Sequence, residues 1–405
     1  MIASRSTRAG FYVMGALLAI ASVGGAQDVP TSFADLKREH QSAVSSIRRR
    51  SELAKTEAER EAASAEVWAE TRAAARRAFA WATAHPDDLE AIDAIVWTVH
   101  GLANGTYPEY LAEQSRAFEL LMEKALASEK IVPVCYYAGG GSFACPQVKR
   151  FLEAALEKSP SRLVRGTACL GLARDEHTAA QLVRRMSDPI TRKSFQARWK
   201  ATGAIERLEG LDPDELDRRA EAHFARVVAE FGDLKLPHPS NETPFAKVAS
   251  EELYELRHLG IGKTAPDLDG EDVRGSRLRL SDHRGKVVAI VFWATWCGPC
   301  MAMLPHERAT VKRLDGKPFV LFGVNGDDDR AKASEAMANE SMTWPSLWNG
   351  GKLGGVVTKF GIRAWPTVYV LDAHGIIRYK NVQGEVLDAA IDRLVAEAEA
   401  EAARE

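Results

Sequence analysis

The chain has 405 residues, 46% of them hydrophobic and 27% charged, and carries a formal net charge of −3. That length asks for two or three domains, and the composition is ordinary for soluble globular protein. The near-neutral balance gives no footing for nucleic acid or a strongly anionic surface as a partner.

The first stretch has the layout of a secretory signal. Arg5 and Arg8 make a basic start, Phe11 to Val23 is an apolar run too short to span a bilayer comfortably, and Gly24-Gly25-Ala26 supplies small residues for cleavage. Residues 1–26 are therefore expected to be removed, leaving a periplasmic or secreted protein that starts near Gln27. The alternative is an uncleaved membrane anchor. No cysteine follows the apolar run to carry a lipid.

From Ser32 to Ala84 the chain is rich in Ala, Glu and Arg. Apolar residues recur at Phe33, Leu36, Val44 and Ile47, close to a 3.6 period, and the stripe decays after Leu53. This predicts one long charged helix or a helix pair. His85-Pro86-Asp87-Asp88 is expected to stop it and cap the next helix. Further helical patterns run over Leu111–Leu126, Val148–Leu156, Leu163–Ala173, Ala179–Met186 and Leu216–Phe231. No strand pattern of any length precedes Leu268, so residues 27–235 are read as an all-α domain of unknown role. No repeat period is firm enough to name it. A linker from Leu236 to Asn241 and a connecting helix, together 236–258, lead to an α/β domain over 259–400.

Three cysteines fall in the helical part. Cys135 and Cys145 flank a glycine-rich loop, and the sequence leaves open whether they are bonded or are two part-buried thiols. Cys169 lies among small residues and is read as a packing residue. The ten histidines are scattered without ligand spacing and no second close cysteine pair exists, which argues against zinc or any other metal.

The α/β domain opens with a hairpin over Leu268–Leu280 that turns near Gly275. A buried strand, Val287–Trp293, then runs into Ala294-Thr295-Trp296-Cys297-Gly298-Pro299-Cys300, and an apolar stripe at Met303, Leu304, Val311 and Leu314 marks the helix that follows. Two cysteines two residues apart at a strand-to-helix turn describe a redox dithiol. Cys297 falls at the helix N-terminus, where orphan N–H groups and the macrodipole favour a thiolate. Pro299 suits the first helical turn. Cys300 comes about one turn later, turned inward. Cys297 is thus expected to be exposed and nucleophilic, with Cys300 resolving. A second buried strand covers Phe319–Val324, and Asp327-Asp328-Asp329 is read as a solvated turn capping a helix over Ala331–Glu340. Met342–Lys352 reads as irregular. Thr367–Leu371 and Ile376–Tyr379 form a last hairpin, and Leu387–Ala396 the last helix.

In order, Ala265-Pro266-Asp267, Leu280-Ser281-Asp282-His283-Arg284-Gly285-Lys286, Trp296-Cys297-Gly298-Pro299-Cys300, Pro305, Gly323-Val324-Asn325 and Trp365-Pro366-Thr367 resemble the thioredoxin fold, and within it the TlpA/ResA-like thiol-disulfide oxidoreductases. The resemblance covers the last third of the chain. It implies a mixed central sheet flanked by helices, an insertion between the second and third central strands, and a cis bond before Pro366, which would face the dithiol. A cis bond there would leave the backbone of Trp365 beside Cys297 for an extended substrate to pair with. The implied site is catalytic Cys297 and Cys300, with Trp296, Gly298, Pro299, Trp365, Pro366 and Thr367 contacting substrate. It needs no cofactor beyond the redox-active Cys297–Cys300 disulfide. Its partners would be protein disulfide substrates and an upstream thiol electron donor, in the membrane or outside it.

Two departures matter. Thioredoxin carries a buried aspartate six residues before the first cysteine, where this chain has Val291. ResA-like proteins carry a glutamate three residues after the second, where it has Met303. Without either acid, Cys297 is expected to titrate in a single step and the resolving thiol to lose its proton more slowly, to water, to the departing client thiolate or to a group the sequence does not place; His306 and Glu307 lie nearby but match neither position. A peroxidase of the peroxiredoxin type is excluded, because its Pro and Thr or Ser positions hold Ile290 and Ala294. Two readings remain. One is an extracytoplasmic thiol-disulfide oxidoreductase that reduces client proteins. The other is a helical scaffold or binding protein with an accessory redox domain.

Overall fold

The computed structural model describes residues 32–102, 108–236, 243–352 and 354–404. The signal-peptide reading and most of the linker reading lie outside them. Among the described residues no helix is long and apolar enough to cross a membrane.

The first pattern resolves into a pair, α1 (Phe33–Glu52) and α2 (Glu57–Ala84). The break falls where the apolar stripe ends: Leu53 is 80% exposed. Thr56 and Glu59 then close a capping box that starts α2. Arg50–Glu66 and Arg77–Glu39 ion pairs, at 2.5 and 3.1 Å, fasten the two helices side by side. The next helix, α3 (Ala91–Gly101), does not use the cap expected of it. Asp88 accepts the Glu90 N–H at 2.8 Å within the preceding turn, and Glu90 itself is the N-cap without a side-chain bond.

Then come α4 (Leu111–Lys124), α5 (Val132–Tyr137), α6 (Gln147–Lys158) and α7 (Arg162–Ser187). The two patterns Leu163–Ala173 and Ala179–Met186 are one helix, α7. The polar residues that interrupt the apolar pattern are satisfied by other elements. Asp175 accepts from the backbone of Gly140 and Ser142 at 3.2 and 3.0 Å, and from the Ser142 hydroxyl. Burial nevertheless raises its pKa. The loop between Cys135 and Cys145 is therefore tied to α7. Glu176 is also buried, which opposes its charge, yet its bond to His223 and the charges of His223, Lys149 and Arg219 hold its pKa below the ordinary range. Cys135, Cys145 and Cys169 are free buried thiols, so the bonded alternative for the first two is not formed, and burial raises all three pKa values.

The helical part ends with α8 (Pro189–Trp199), α9 (Ala204–Leu208), α10 (Pro213–Phe231) and α11 (Phe245–His258). Most of these helices share one core that includes Phe33, Phe118, Phe151, Leu152, Phe224 and, from α11, Phe245, Ala249 and Leu256.

The C-terminal part is a thioredoxin-like domain. A small hairpin, β1 (Asp269–Glu271) and β2 (Arg277–Arg279), turns at Gly275, whose φ of 97° suits a residue without Cβ. The main sheet has β3 (Val287–Trp293) at its centre, with β4 (Phe319–Asn325), β5 (Ser346–Trp348), β6 (Thr367–Leu371) and β7 (Ile377–Lys380) in the order β5-β4-β3-β6-β7. β3, β4 and β5 are parallel, while β6 and β7 run antiparallel to their neighbours. Every residue of β3 is buried, as an unbroken apolar strand covered on both faces requires. Val287, Ala289, Val291 and Trp293 face one core with α12 (Gly298–Arg313), α13 (Arg330–Asn339) and α15 (Gly384–Ala402); Val288, Ile290 and Phe292 face another with α14 (Gly355–Lys359). The segment read as irregular contains the edge strand β5. Three residues are too few to show a period, and what fixes this strand is its parallel pairing with β4.

Candidate active site

β3 delivers its last residue, Trp293, to the carboxyl edge of the sheet, and the chain turns through Ala294-Thr295-Trp296 into α12. Cys297 is the N-cap of that helix. Its sulfur accepts the backbone N–H of Cys300 at 3.2 Å, one of the donors a helix start leaves without an intrahelical partner. The two sulfurs are joined in a disulfide with a Cα–Cα separation of 5.3 Å. Cys300 is 2% exposed, as expected of the inner residue. Cys297 is only 4% exposed, which corrects the expectation of an open sulfur. In this oxidised state it belongs to the buried cluster against which Trp365 packs. Gly298 and Pro299 are exposed beside it.

Two tryptophans wall the site. Trp296 is 44% exposed, and its ring meets that of Trp365 edge-on with centroids 5.2 Å apart. The Trp365–Pro366 bond is cis, as the resemblance implied. Among the described residues neither backbone group of Trp365 takes part in a hydrogen bond. Thr367 is buried; its hydroxyl donates to Ala364 O at 2.8 Å, which holds the loop before β6.

Three residues that sequence reasoning did not place here shape the site. Asp327 was read as part of a solvated turn, yet it is 3% exposed. Its carboxylate accepts the Thr295 N–H at 3.0 Å, the Thr295 hydroxyl at 2.6 Å and the Asn325 amide at 2.7 Å. It thereby braces the turn two residues before Cys297. Of the acidic run, Asp329 does cap α13, accepting the Ala331 N–H at 2.8 Å. Gly326 is the floor for Trp365: a Cβ there would overlap the indole. Its N–H donates to Trp293 O at 2.9 Å, carrying the β3–β4 contact past the strand ends. The third is Glu307. It lies seven residues after Cys300 on the core-facing stripe of α12, with Leu304 between, and is 5% exposed. Burial pushes its pKa up to about 7, against which the nearby Arg308 charge acts weakly. A helix period places 300, 304 and 307 on one face, a signal the sequence contained. His306, by contrast, points to Asp388 at 3.2 Å. Val291 and Met303 hold no acid, and both pack with the apolar cluster around the dithiol.

Among the described residues no group of three His, Cys, Asp or Glu is placed to hold a metal ion. A Cys-X-X-Cys disulfide at a strand-to-helix turn, walled by Trp296 and by the Trp365 that precedes a cis-proline, on this sheet topology, defines a thioredoxin-fold redox domain. The family model described as AhpC/TSA family matches residues 261–380. Thioredoxin-like protein YneN of Bacillus subtilis is 30% identical over 131 residues, covering 31% of this chain and 75% of that protein. Thiol-disulfide oxidoreductase ResA of Geobacillus thermodenitrificans is 27% identical over 124 residues, covering 31% and 70%. The thioredoxin domain of a thiol-disulfide oxidoreductase from Bacteroides vulgatus aligns with a TM-score of 0.32 at 25% identity, covering 34% of this chain and 98% of that one. Through this third of its length the chain belongs to the thioredoxin-like thiol-disulfide oxidoreductases, and it is an oxidoreductase of that kind.

Proposed function

We propose that the chain is an extracytoplasmic reductase of protein disulfides, acting through Cys297 and Cys300. The observation that carries this reading is the position of the Cys297 sulfur at the start of α12, where it accepts the Cys300 N–H. A thiolate there is stabilised by the helix terminus. In the reduced protein Cys297 attacks one sulfur of a client disulfide. A mixed disulfide forms and the other client sulfur leaves as a thiolate. Cys300, deprotonated, then attacks the Cys297 sulfur, which closes the Cys297–Cys300 disulfide and frees the second client thiol. Two electrons pass from the dithiol to the client, and an upstream thiol donor restores the dithiol.

The client would lie along Trp365, pairing with its unbonded backbone groups as an added strand. Trp296, Gly298 and Pro299 would flank the reacting sulfurs, and Pro366 and Thr367 would form and hold the opposite lip. The Gly-Pro dipeptide favours the reducing direction, since it is the one thioredoxin carries at a potential of about −270 mV. A peroxidase of the peroxiredoxin type stays excluded by the buried apolar Ile290 and Ala294. The division into a signal segment, a helical domain and a redox domain from 259 onward, and export from the cytoplasm, belong to this proposal.

The test is a pair of variants. Cys297→Ser should abolish reduction of a protein disulfide. Cys300→Ser should attack once and stall as a mixed disulfide, visible by mass spectrometry. Iodoacetamide labelling Cys300 faster than Cys297 in the reduced protein would reverse the assigned roles. The scaffold reading predicts instead that the double serine variant keeps the phenotype of the intact gene.

A further inference from the structure

The helical part and the redox domain meet along a cavity of about 620 Å³. One wall is α11, with Lys247, Ser250 and Tyr254. The other is the segment around α14, with Lys352, Ile362 and Arg363. Three observations give this groove a chemistry.

One of its lining residues, Lys352, reaches the dithiol site. The Lys352 ammonium lies 4.0 Å above the centre of the Trp296 ring, and Trp296 adjoins Cys297. At the other lip Arg363 stands two residues before Trp365. Its lining is apolar with a positive rim. Tyr254, Leu259, Val357 and Ile362 contribute apolar surface, while Lys247, Lys352, Lys359 and Arg363 outnumber Glu251 and Glu255. Both acids already face a cation: Glu255 is paired with Lys380, and Glu251 lies 3.7 Å from Arg363, so the surplus positive charge is that of Lys247, Lys352 and Lys359. The α11 wall is also fixed in advance. Phe245, Ala249 and Leu256 anchor α11 in the helical core. Arg174 forks onto Glu252 at 2.8 and 2.7 Å, and Glu252 in turn lies 3.6 Å from Arg363. A wall that need not be ordered on binding costs a ligand little.

We propose that this groove binds the client polypeptide beside its disulfide, as an extended segment bearing apolar side chains and carboxylates. Lys247 to Tyr254 covers about 10 Å of helix axis, the length of about three extended residues. The helical part would then supply recognition and the redox domain chemistry. This inference rests on the reading that the dithiol reduces protein disulfides.

The experiment uses the pre-reduced full chain and two peptides, each carrying a single cysteine in mixed disulfide with a chromogenic thiol. One has Glu and Leu flanking the cysteine; in the other Lys replaces Glu. A small aromatic disulfide is the third substrate. The rate of thiol release is followed against substrate concentration. The acidic peptide should half-saturate at about 5-fold lower concentration than the basic one, the scale of a rim charge pair. Lys247→Glu should erase or reverse that preference. Ser250→Trp, an exposed position that fills the groove, should weaken both peptides, with the small disulfide reduced at the wild-type rate in both variants. Equal half-saturation for the two peptides, unmoved by either substitution, overturns the groove while leaving the dithiol chemistry intact. Failure to reduce all three substrates overturns the underlying reading, and the groove with it.

Discussion

Glu307 offers a prediction whose size follows from the structure. An acid with an ordinary pKa of 4.5 is held at about 7 in the fold by burial. Below pH 4.5 it is protonated in both folded and unfolded chains, and its charge costs nothing. Between 4.5 and about 7 only the unfolded chain ionises, so the fold loses stability with rising pH at about 1.36 kcal/mol per pH unit. Above about 7 the loss has reached its limit, ~3 kcal/mol, and stays there. Glu307→Gln removes the charge and keeps the shape. The variant should therefore match the wild type at pH 4 and exceed it by about 2–3 kcal/mol at pH 8. The assay is denaturant unfolding of the oxidised full chain at both pH values. The redox domain's transition is recognised as the one that moves when the Cys297–Cys300 disulfide is reduced. A stability gap of equal size at the two pH values would falsify the assignment of a buried, late-titrating carboxyl to this residue.

Asp327→Ala removes three hydrogen bonds from a buried carboxylate and leaves the Thr295 donors without partners. The redox domain should lose about 2–3 kcal/mol and the exchange rate of the dithiol should fall; a change under about 0.5 kcal/mol would show that the brace is idle. Gly326→Ala pushes a methyl into the Trp365 indole, so tryptophan fluorescence and client exchange should both change, and an unaltered spectrum with a wild-type rate would refute the floor role. The single-step titration of Cys297 expected from Val291 and Met303 now belongs to Glu307→Gln. In the wild type an acid ten residues along the helix from Cys297, about 15 Å, contributes ~1.1 kcal/mol at an effective dielectric constant of 20. Alkylation of Cys297 followed against pH should show a second inflection near pH 7 that Glu307→Gln abolishes, and a single step in both proteins would contradict it.

The chemistry of the site was legible because it is local. The Cys297–Cys300 spacing, Pro299 in the first helical turn and the apolar run of β3 all sit within a few residues of one another, and strand period, helix caps and turn chemistry act over that range. The fading of the apolar stripe after Leu53 was legible for the same reason, but whether it marked one long helix or a pair stayed open until the structure placed the break there. What escaped were residues whose meaning comes from across the fold. Asp327 belongs to an acidic run that looks like a helix cap, and only the pairing of β4 with β3 carries it to Thr295. Asp175 and Glu176 interrupt the apolar pattern of α7, so one helix read as two stretches; Ser142 and His223, distant in sequence, supply the partners that let these acids be buried. Trp365 was recognised while Gly326 beneath it was not, because a missing side chain leaves no periodic trace. Glu307 was visible in sequence yet unplaced, since one carboxylate in an apolar stripe reads as an exposed position until the helix is docked.

The interface between the two parts bears on the choice between enzyme and scaffold. A scaffold carrying an accessory domain needs only a tether. Here the contact is specific and partly buried. Asp188, at the start of α8, accepts from the Tyr379 hydroxyl at 2.8 Å and from Arg393 at 2.7 Å, and Ile190 packs against the core beneath α15. Burial, followed by the Asp188 bond and charge, pushes the Tyr379 pKa up to about 12, so this bond keeps its proton through the physiological range. Lys380 pairs with Glu255 of α11 on the same side of the sheet edge, and Gln181 of α7 accepts the Ile261 N–H at 3.4 Å. Each contact alone is modest, but they fall on α7, α8 and α11 together and so restrain rotation as well as separation. Restraint of that kind is what a third body touching both parts in a fixed relation would use. A client disulfide presented to Cys297 while its flanking residues lie against α11 is such a body, and the orientation that brings a reacting sulfur into line is a large share of what an exchange catalyst can contribute.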